Sequence, residues 1–252
     1  MPVAIDGLVY FTLSLVLFWL AQRWLHRELQ AVLLLLTRNP SAAIGIFSLL
    51  FFPGVLLHET SHFLMARLLR VRTGKFSLIP QTTPQGSLRL GYVETARADW
   101  LRDTLIGLAP LLTGGVVIAW LGLSRLHLMP VGSAILVGEW PALPALLRQV
   151  AAVPDFLLWF YLAFAVSSTM LPSASDRQAW LPMGLVLLVV VGVAVAAGAG
   201  EWMLQHLAPA VNSTLRSVSG VFAVSLLLHL ALGIPFWLLR LFISQITGMR
   251  VV

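Results

Sequence analysis

The feature that most narrows the folds open to this chain is its succession of long apolar runs. Gly7–Ala21, Ala42–Leu69, Thr104–Leu123, Asp155–Leu171, Trp180–Gly200 and Val218–Ile243 are each dominated by aliphatic and aromatic residues. A helix needs about 20 such residues to cross the hydrocarbon of a bilayer. Of the 252 residues, 59% are hydrophobic and only 10% are charged, whereas soluble domains carry about a quarter charged residues. A water-soluble globule could not cover so much apolar surface, and a disordered chain would need low hydrophobicity and high charge. The expected fold is an all-α polytopic membrane protein of about six transmembrane helices.

The breaks between runs suggest the organisation. The polar stretch Arg23–Glu28 ends the first run, which lacks the basic lead of a signal peptide and reads as a retained span. Ala31–Leu36 is too short to cross and is expected in the interface. Asn39-Pro40-Ser41 reads as a helix start, and Pro53-Gly54 as a kink in the second span. Val71–Arg102 is the most polar segment. Lys75–Pro80 and Ser87–Val93 alternate with period two around Thr82–Gly86, which predicts a short membrane-associated β-hairpin over 75–93 between spans two and three. Met129–Pro154 is proline-rich and expected partly in the interface. This divides the chain into an N-terminal span and interfacial segment (1–40), a membrane core of spans two to four (41–180) and two C-terminal spans (181–252).

Alternation of six spans puts the N-terminus, the Val71–Arg102 loop, the Asp176 loop and the C-terminus on one side. Sixteen basic residues against ten acidic ones, with Arg67, Arg70, Arg72 and Lys75 clustered beside the second span, assign that side to the cytoplasm. The cluster abuts a membrane helix, so no nucleic-acid partner is expected. Fifteen of the basic residues are arginine, a bias of GC-rich coding that points to a prokaryotic cell membrane. Spans two and four then run parallel and end at the same face.

The chemistry is concentrated in His58-Glu59-Thr60-Ser61-His62. Positions i and i+4 share a helix face, so His58 and His62 can bind one metal ion. Glu59 beside them can take a proton from metal-held water. Three ionisable groups within five positions of a membrane span are expensive, and that expense marks function. A catalytic zinc site generally has a third protein ligand and one open position. Cysteine is absent, which leaves Asp155, Asp176, Glu139, Glu201, His127, His206 and His229. Asp176 ends a span parallel to the histidine helix; His229, mid-span, is its main rival.

A membrane-embedded H-E-x-x-H with a remote aspartate at the end of a later span resembles the site-2 protease family of intramembrane metalloproteases. Gly91-Tyr92-Val93 is similar to that family's G-Y-V element, and Gly107-Leu108-Ala109-Pro110 to the stretch that opens its next span. The family's second metal motif is roughly N-x-x-P-x-P-x-L-D-G; here Ser168 stands at the asparagine, one proline is displaced and Arg177 follows Asp176, the pattern of a divergent subgroup. The resemblance covers about Ser41 to Trp180. It implies Zn²⁺ held by His58, His62 and Asp176, with Glu59 as general base in the hydrolysis of a peptide bond within or near a transmembrane segment. The implied partner is a single-pass or small membrane-protein substrate in the bilayer. Its unwound segment would be held by the hairpin edge and its surroundings, with Leu88, Leu90, Gly91, Tyr92 and Ser168 as candidate substrate-binding residues. The alternative is a catalytically decayed, non-enzymatic subunit or chaperone that binds transmembrane helices. The residues set no expectation for oligomeric state.

Overall fold

The computed structural model describes residues 6–82 and 88–249. Eight helices and four short strands follow in the order α1 (Asp6–Thr37), α2 (Pro40–Leu68), β1 (Thr73–Ser77), β2 (Gln81–Thr82), β3 (Leu88–Arg89), β4 (Tyr92–Thr95), α3 (Trp100–Trp120), α4 (Met129–Val137), α5 (Leu143–Ala151), α6 (Phe156–Thr169), α7 (Trp180–Ala194) and α8 (Gly200–Thr247). A π-turn over Leu121–Arg125 extends α3, and another over Val195–Ala199 joins α7 to α8.

Among the described residues, four helical stretches are long and apolar enough to cross a membrane: Asp6–Thr37, Pro40–Leu68, Trp100–Arg125 and Trp180–Thr247. A fifth is obtained if Trp140–Ala151 and Phe156–Thr169, bent by 101°, form one span. The difference from the expected six lies at span four, where Phe156–Thr169 alone is 14 residues long, and at spans five and six, which fall in the one stretch Trp180–Thr247, kinked at Gly198 (φ 89°). The polar stretch Arg23–Glu28 does not end α1, because Glu28 is buried in an ion pair with Arg240 of α8. The apolar patch Ala31–Leu36, expected as an interfacial piece, is simply the continuation of α1. Likewise the polar residues between the last two runs do not break α8. The Asn212 amide oxygen accepts from the Gly7 N–H (2.8 Å), its NH₂ donates to Asp6 (2.9 Å), and Arg216 pairs with Asp6.

These contacts fix the direction of α8. Gly7 meets Asn212, Phe18 stacks on Phe222 (5.9 Å between centroids) and Glu28 meets Arg240, so α1 and α8 run parallel. The C-terminal end of α8 therefore lies at the Thr37 end of α1. The first described residues of α1 and the last of α8 thus lie at opposite ends of the bundle, which differs from the expectation that the two chain ends share a face.

Spans two and four are parallel as expected, and closely so. Tyr161 donates to the Leu50 carbonyl (3.1 Å), and His58 Nδ1 lies 2.6 Å from the Thr169 carbonyl. Between these, a Cβ at Gly54 would collide with the Ala165 carbonyl, so the absence of a side chain there lets α2 and α6 approach at this depth. One buried cluster joins Phe18, Ile118, Met170 and Phe222; a second joins Leu25, Phe47, Phe51 and Phe164. In contrast, α7 buries none of its residues, as suits an apolar helix facing lipid.

The β element is a pair of short antiparallel ladders: β1 with β4 (Phe76 opposite Val93, Ser77 opposite Tyr92) and β2 with β3 (Gln81 opposite Arg89, Thr82 opposite Leu88). Of the turn expected over Thr82–Gly86, Thr82 belongs to β2 and 83–86 lie outside the described residues.

Candidate metal centre

The helix that carries the two histidines starts where its sequence says it should. Asn39 Oδ1 caps α2 by accepting from the N–H groups of Ser41 (2.9 Å) and Ala42 (3.2 Å), with Pro40 at the first helical position. Five turns on, His58 and His62 stand on one face, their Nε2 atoms 3.1 Å apart.

Each imidazole is fixed from behind. His58 Nδ1 lies 2.6 Å from the Thr169 carbonyl of α6, and His62 Nδ1 2.8 Å from the Ile106 carbonyl of α3. A carbonyl can only accept, so both Nδ1 atoms carry the proton and donate it. In the neutral rings both Nε2 atoms then present lone pairs to the same point. Asp176 closes the third side, with carboxylate oxygens 3.3 Å from His62 Nε2 and 3.8 Å from His58 Nε2. The three ligand atoms lie within 4.8 Å of one another.

The Asp176 loop is itself anchored. The Ser173 N–H donates to the Asp176 carboxylate at 2.7 Å, and Thr104 Oγ1 donates to the Ala179 carbonyl at 3.2 Å. Burial acts to raise the Asp176 pKa, but the facing His62 and the Ser173 donor outweigh it and hold the carboxyl well below its ordinary range. Asp176 is therefore an anion at neutral pH. Arg177 turns away and donates to the Ser173 carbonyl (3.2 Å).

Two lone pairs and a carboxylate converge, so the set needs a positive charge. Either a proton on one Nε2 or a cation between the three groups can supply it. Two imidazoles and one carboxylate, each imidazole oriented by a carbonyl, fit a divalent transition metal. Among the described residues this is the one group of three such side chains so placed; Asp155, Glu139, Glu201, His127 and His206 take no part in it.

No protein-family model, curated protein or solved structure matches this chain.

Glu59, 7% exposed, opens with the histidines onto a cavity of about 620 Å³ walled by α2, α3, the Asp176 loop and the strand segment. That is the size of a ligand pocket. The substrate-binding candidates divide. Leu90, Gly91 and Ser168 line the cavity. Gly91 sits so near Glu59 that a Cβ would come within 3.0 Å of Glu59 Cγ. Tyr92 lies off the cavity wall, beneath the Arg89 guanidinium (4.8 Å). The backbone of Leu88 pairs with Thr82 at the far end of the ladder.

Ser168 has a further role that sequence reasoning missed. Its hydroxyl is 3.0 Å from Nε2 of His229, whose Nδ1 donates to the Ser225 carbonyl (2.7 Å). The Ser168 carbonyl accepts from Gln22 Nε2 (2.6 Å). His229, fully buried against the edge of Phe18, thus ties α8 to α6 and α1 and is not part of the metal set. Local sequence holds no signal for this tie, because its members come from three helices.

Proposed function

We propose that the chain is an intramembrane metallopeptidase that hydrolyses a peptide bond within or near a transmembrane segment of a membrane-protein substrate. The observation that carries this reading is the convergence of His58 Nε2, His62 Nε2 and the Asp176 carboxylate beside buried Glu59 in one cavity. His58, His62 and Asp176 would hold the ion, with Zn²⁺ suited to this donor set. When bound, the ion supplies Lewis acidity, which lowers the pKa of water and polarises a carbonyl.

The remaining steps belong to the protein's own side chains. Glu59 accepts a proton from the attacking water and delivers it to the leaving amine, so one carboxylate serves both halves of the hydrolysis. Asp176 keeps the negative charge that, with the two imidazoles, retains the cation. The α2–α3–α6 walls screen the site from lipid while the cavity keeps it wet, as hydrolysis within a membrane requires. A helical substrate hides its peptide bonds and must be opened into an extended segment. The edge of β4 away from β1, unpaired among the described residues, would offer backbone groups to such a segment, and Leu90 and Gly91 would carry it past Glu59. The arginine-rich loop beside the site supports an orientation toward the cytoplasmic face, and the membrane we propose is that of a prokaryotic cell.

The test is metal content and peptide hydrolysis by the full chain in detergent, compared with His58→Ala, Asp176→Ala and Glu59→Gln. The expected result is about one zinc per chain, lost in the first two variants. It is retained in Glu59→Gln, which no longer cleaves a transmembrane peptide. No bound metal after chelator-free purification overturns the reading. Bound metal without hydrolysis by the wild type favours a subunit that only binds helices.

A further inference from the structure

The two histidines are oriented by carbonyls that helices normally keep for themselves. Thr169 is the last residue of α6, where carbonyls lack an intrahelical partner, so its oxygen is free for His58. Ile106 lies in the interior of α3, which runs from Trp100 to Trp120. Its carbonyl should be occupied by the N–H four residues on. That residue is Pro110, which has no N–H. The oxygen left open by the proline is the one that accepts from His62 Nδ1 at 2.8 Å.

We propose that Pro110 is a positioning residue for the metal centre: by withholding a backbone N–H it keeps the Ile106 carbonyl open to orient His62. The proposal rests on the reading of His58, His62 and Asp176 as a metal site. A proline inside a helix has a cost in a lost hydrogen bond and a ring clash, and here the released acceptor is taken up by a ligand imidazole, fixing both its ring plane and its tautomer. The neighbouring position makes the same surface functional, since Gly107 is where the Asp176 backbone packs on α3. One turn of α3 thus seats two of the three ligands, Asp176 through a missing side chain and His62 through a missing N–H.

The alternative is that Pro110 only bends α3. The two differ in sign. If Pro110 orients His62, a residue with an N–H will close the helical bond to Ile106, compete for the oxygen and loosen the ligand, while the helix itself is no weaker.

The experiment titrates Zn²⁺ against a chromophoric chelator, using the full chain stripped of metal in detergent. Wild type, Pro110→Ala, Pro110→Gly and, as a remote helix proline, Pro235→Ala are compared, with unfolding midpoints measured on the same metal-free samples. The visible absorption of the Co²⁺ forms reports coordination geometry. The expected result is a Zn²⁺ Kd raised about 10- to 100-fold in the Pro110 variants, with an altered Co²⁺ spectrum, a metal-free midpoint no lower than wild type and an unchanged Kd in Pro235→Ala. Equal Kd and spectrum in wild type and both Pro110 variants overturn the proposal and leave the metal site standing. An equal loss in Pro235→Ala, or lowered midpoints or failure to fold in both Pro110 variants, makes Pro110 a folding determinant and also overturns it. No Zn²⁺ binding by wild type overturns the underlying site reading.

Discussion

Gly107 of α3 and the backbone carbonyl of Asp176 lie so close that a Cβ at position 107 would collide with the oxygen. The Asp176 loop is therefore seated directly on helix backbone, and its carboxylate reaches His62 from there. Replacing Gly107 by valine is expected to lift the loop and withdraw the third ligand. Overpacking of this kind costs about 1–3 kcal/mol of stability, too little to unfold a bundle built on two buried clusters. The expected outcome is zinc retention as poor as that of Asp176→Ala with unchanged helical circular dichroism. Full zinc occupancy in Gly107→Val would show that the loop can seat Asp176 without this contact.

Much of the site is legible in the sequence because its chemistry is local or nearly so. H-E-x-x-H fixes two groups on one helix face by helical geometry alone. The parallel course of α2 and α6 follows from counting crossings between them. What the sequence did not reveal are partnerships across long separations. Glu28 looks like the end of a span until Arg240 is seen beside it. Asn212 and Arg216 look like a loop until Asp6 and Gly7 are. Hydropathy averaged along the chain charges each polar group its full desolvation cost and cannot credit a partner some two hundred residues away. His229 was ambiguous for the same reason, since its satisfaction by Ser168 exists only between helices.

Gly91 and Glu59 permit a separation of metal binding from proton transfer. A Cβ at Gly91 would lie 3.0 Å from both Glu59 Cγ and Val55 Cγ1, and 3.1 Å from the Ser77 carbonyl. The surroundings would have to yield, and the side chain most able to do so is that of Glu59. Since none of the three ligands is touched, Gly91→Ala should hold its zinc. A catalytic group displaced by about 1 Å can cost about 10²-fold in rate, so cleavage should fall by that order. Loss of zinc together with activity would instead make Gly91 a scaffold residue for the whole centre.

The ion pair between Glu28 and Arg240 joins the two longest-packed helices from within the apolar region. Removing one partner of a buried pair leaves the other uncompensated and costs about 3–5 kcal/mol, whereas replacing both with neutral groups is often close to neutral. Arg240→Met is therefore expected to lower the unfolding midpoint clearly, and Glu28→Gln/Arg240→Met to recover most of the loss. If the double variant is as unstable as the single one, the pair contributes through packing of the Arg240 stem and not through its charge.

The parallel course of α1 and α8 makes a prediction about the membrane that differs from simple alternation. At about 1.5 Å per residue, the 48 residues of α8 are far longer than the roughly 30 Å hydrocarbon core, so part of the helix must stand outside it. The contacts of Asn212 and Arg216 with the first residues of α1 identify that part as the N-terminal portion of α8, at the same end of the bundle as the loop before α3. The chain contains no cysteine, so single substitutions can be labelled without background. Ser213→Cys and Arg97→Cys should react with a membrane-impermeant maleimide from one side, and Ser133→Cys, beyond the far end of α3, from the other. Labelling of Ser213→Cys from the Ser133 side would mean that Trp180–Gly200 crosses the membrane separately. The antiparallel order of the last two apolar runs would then be restored.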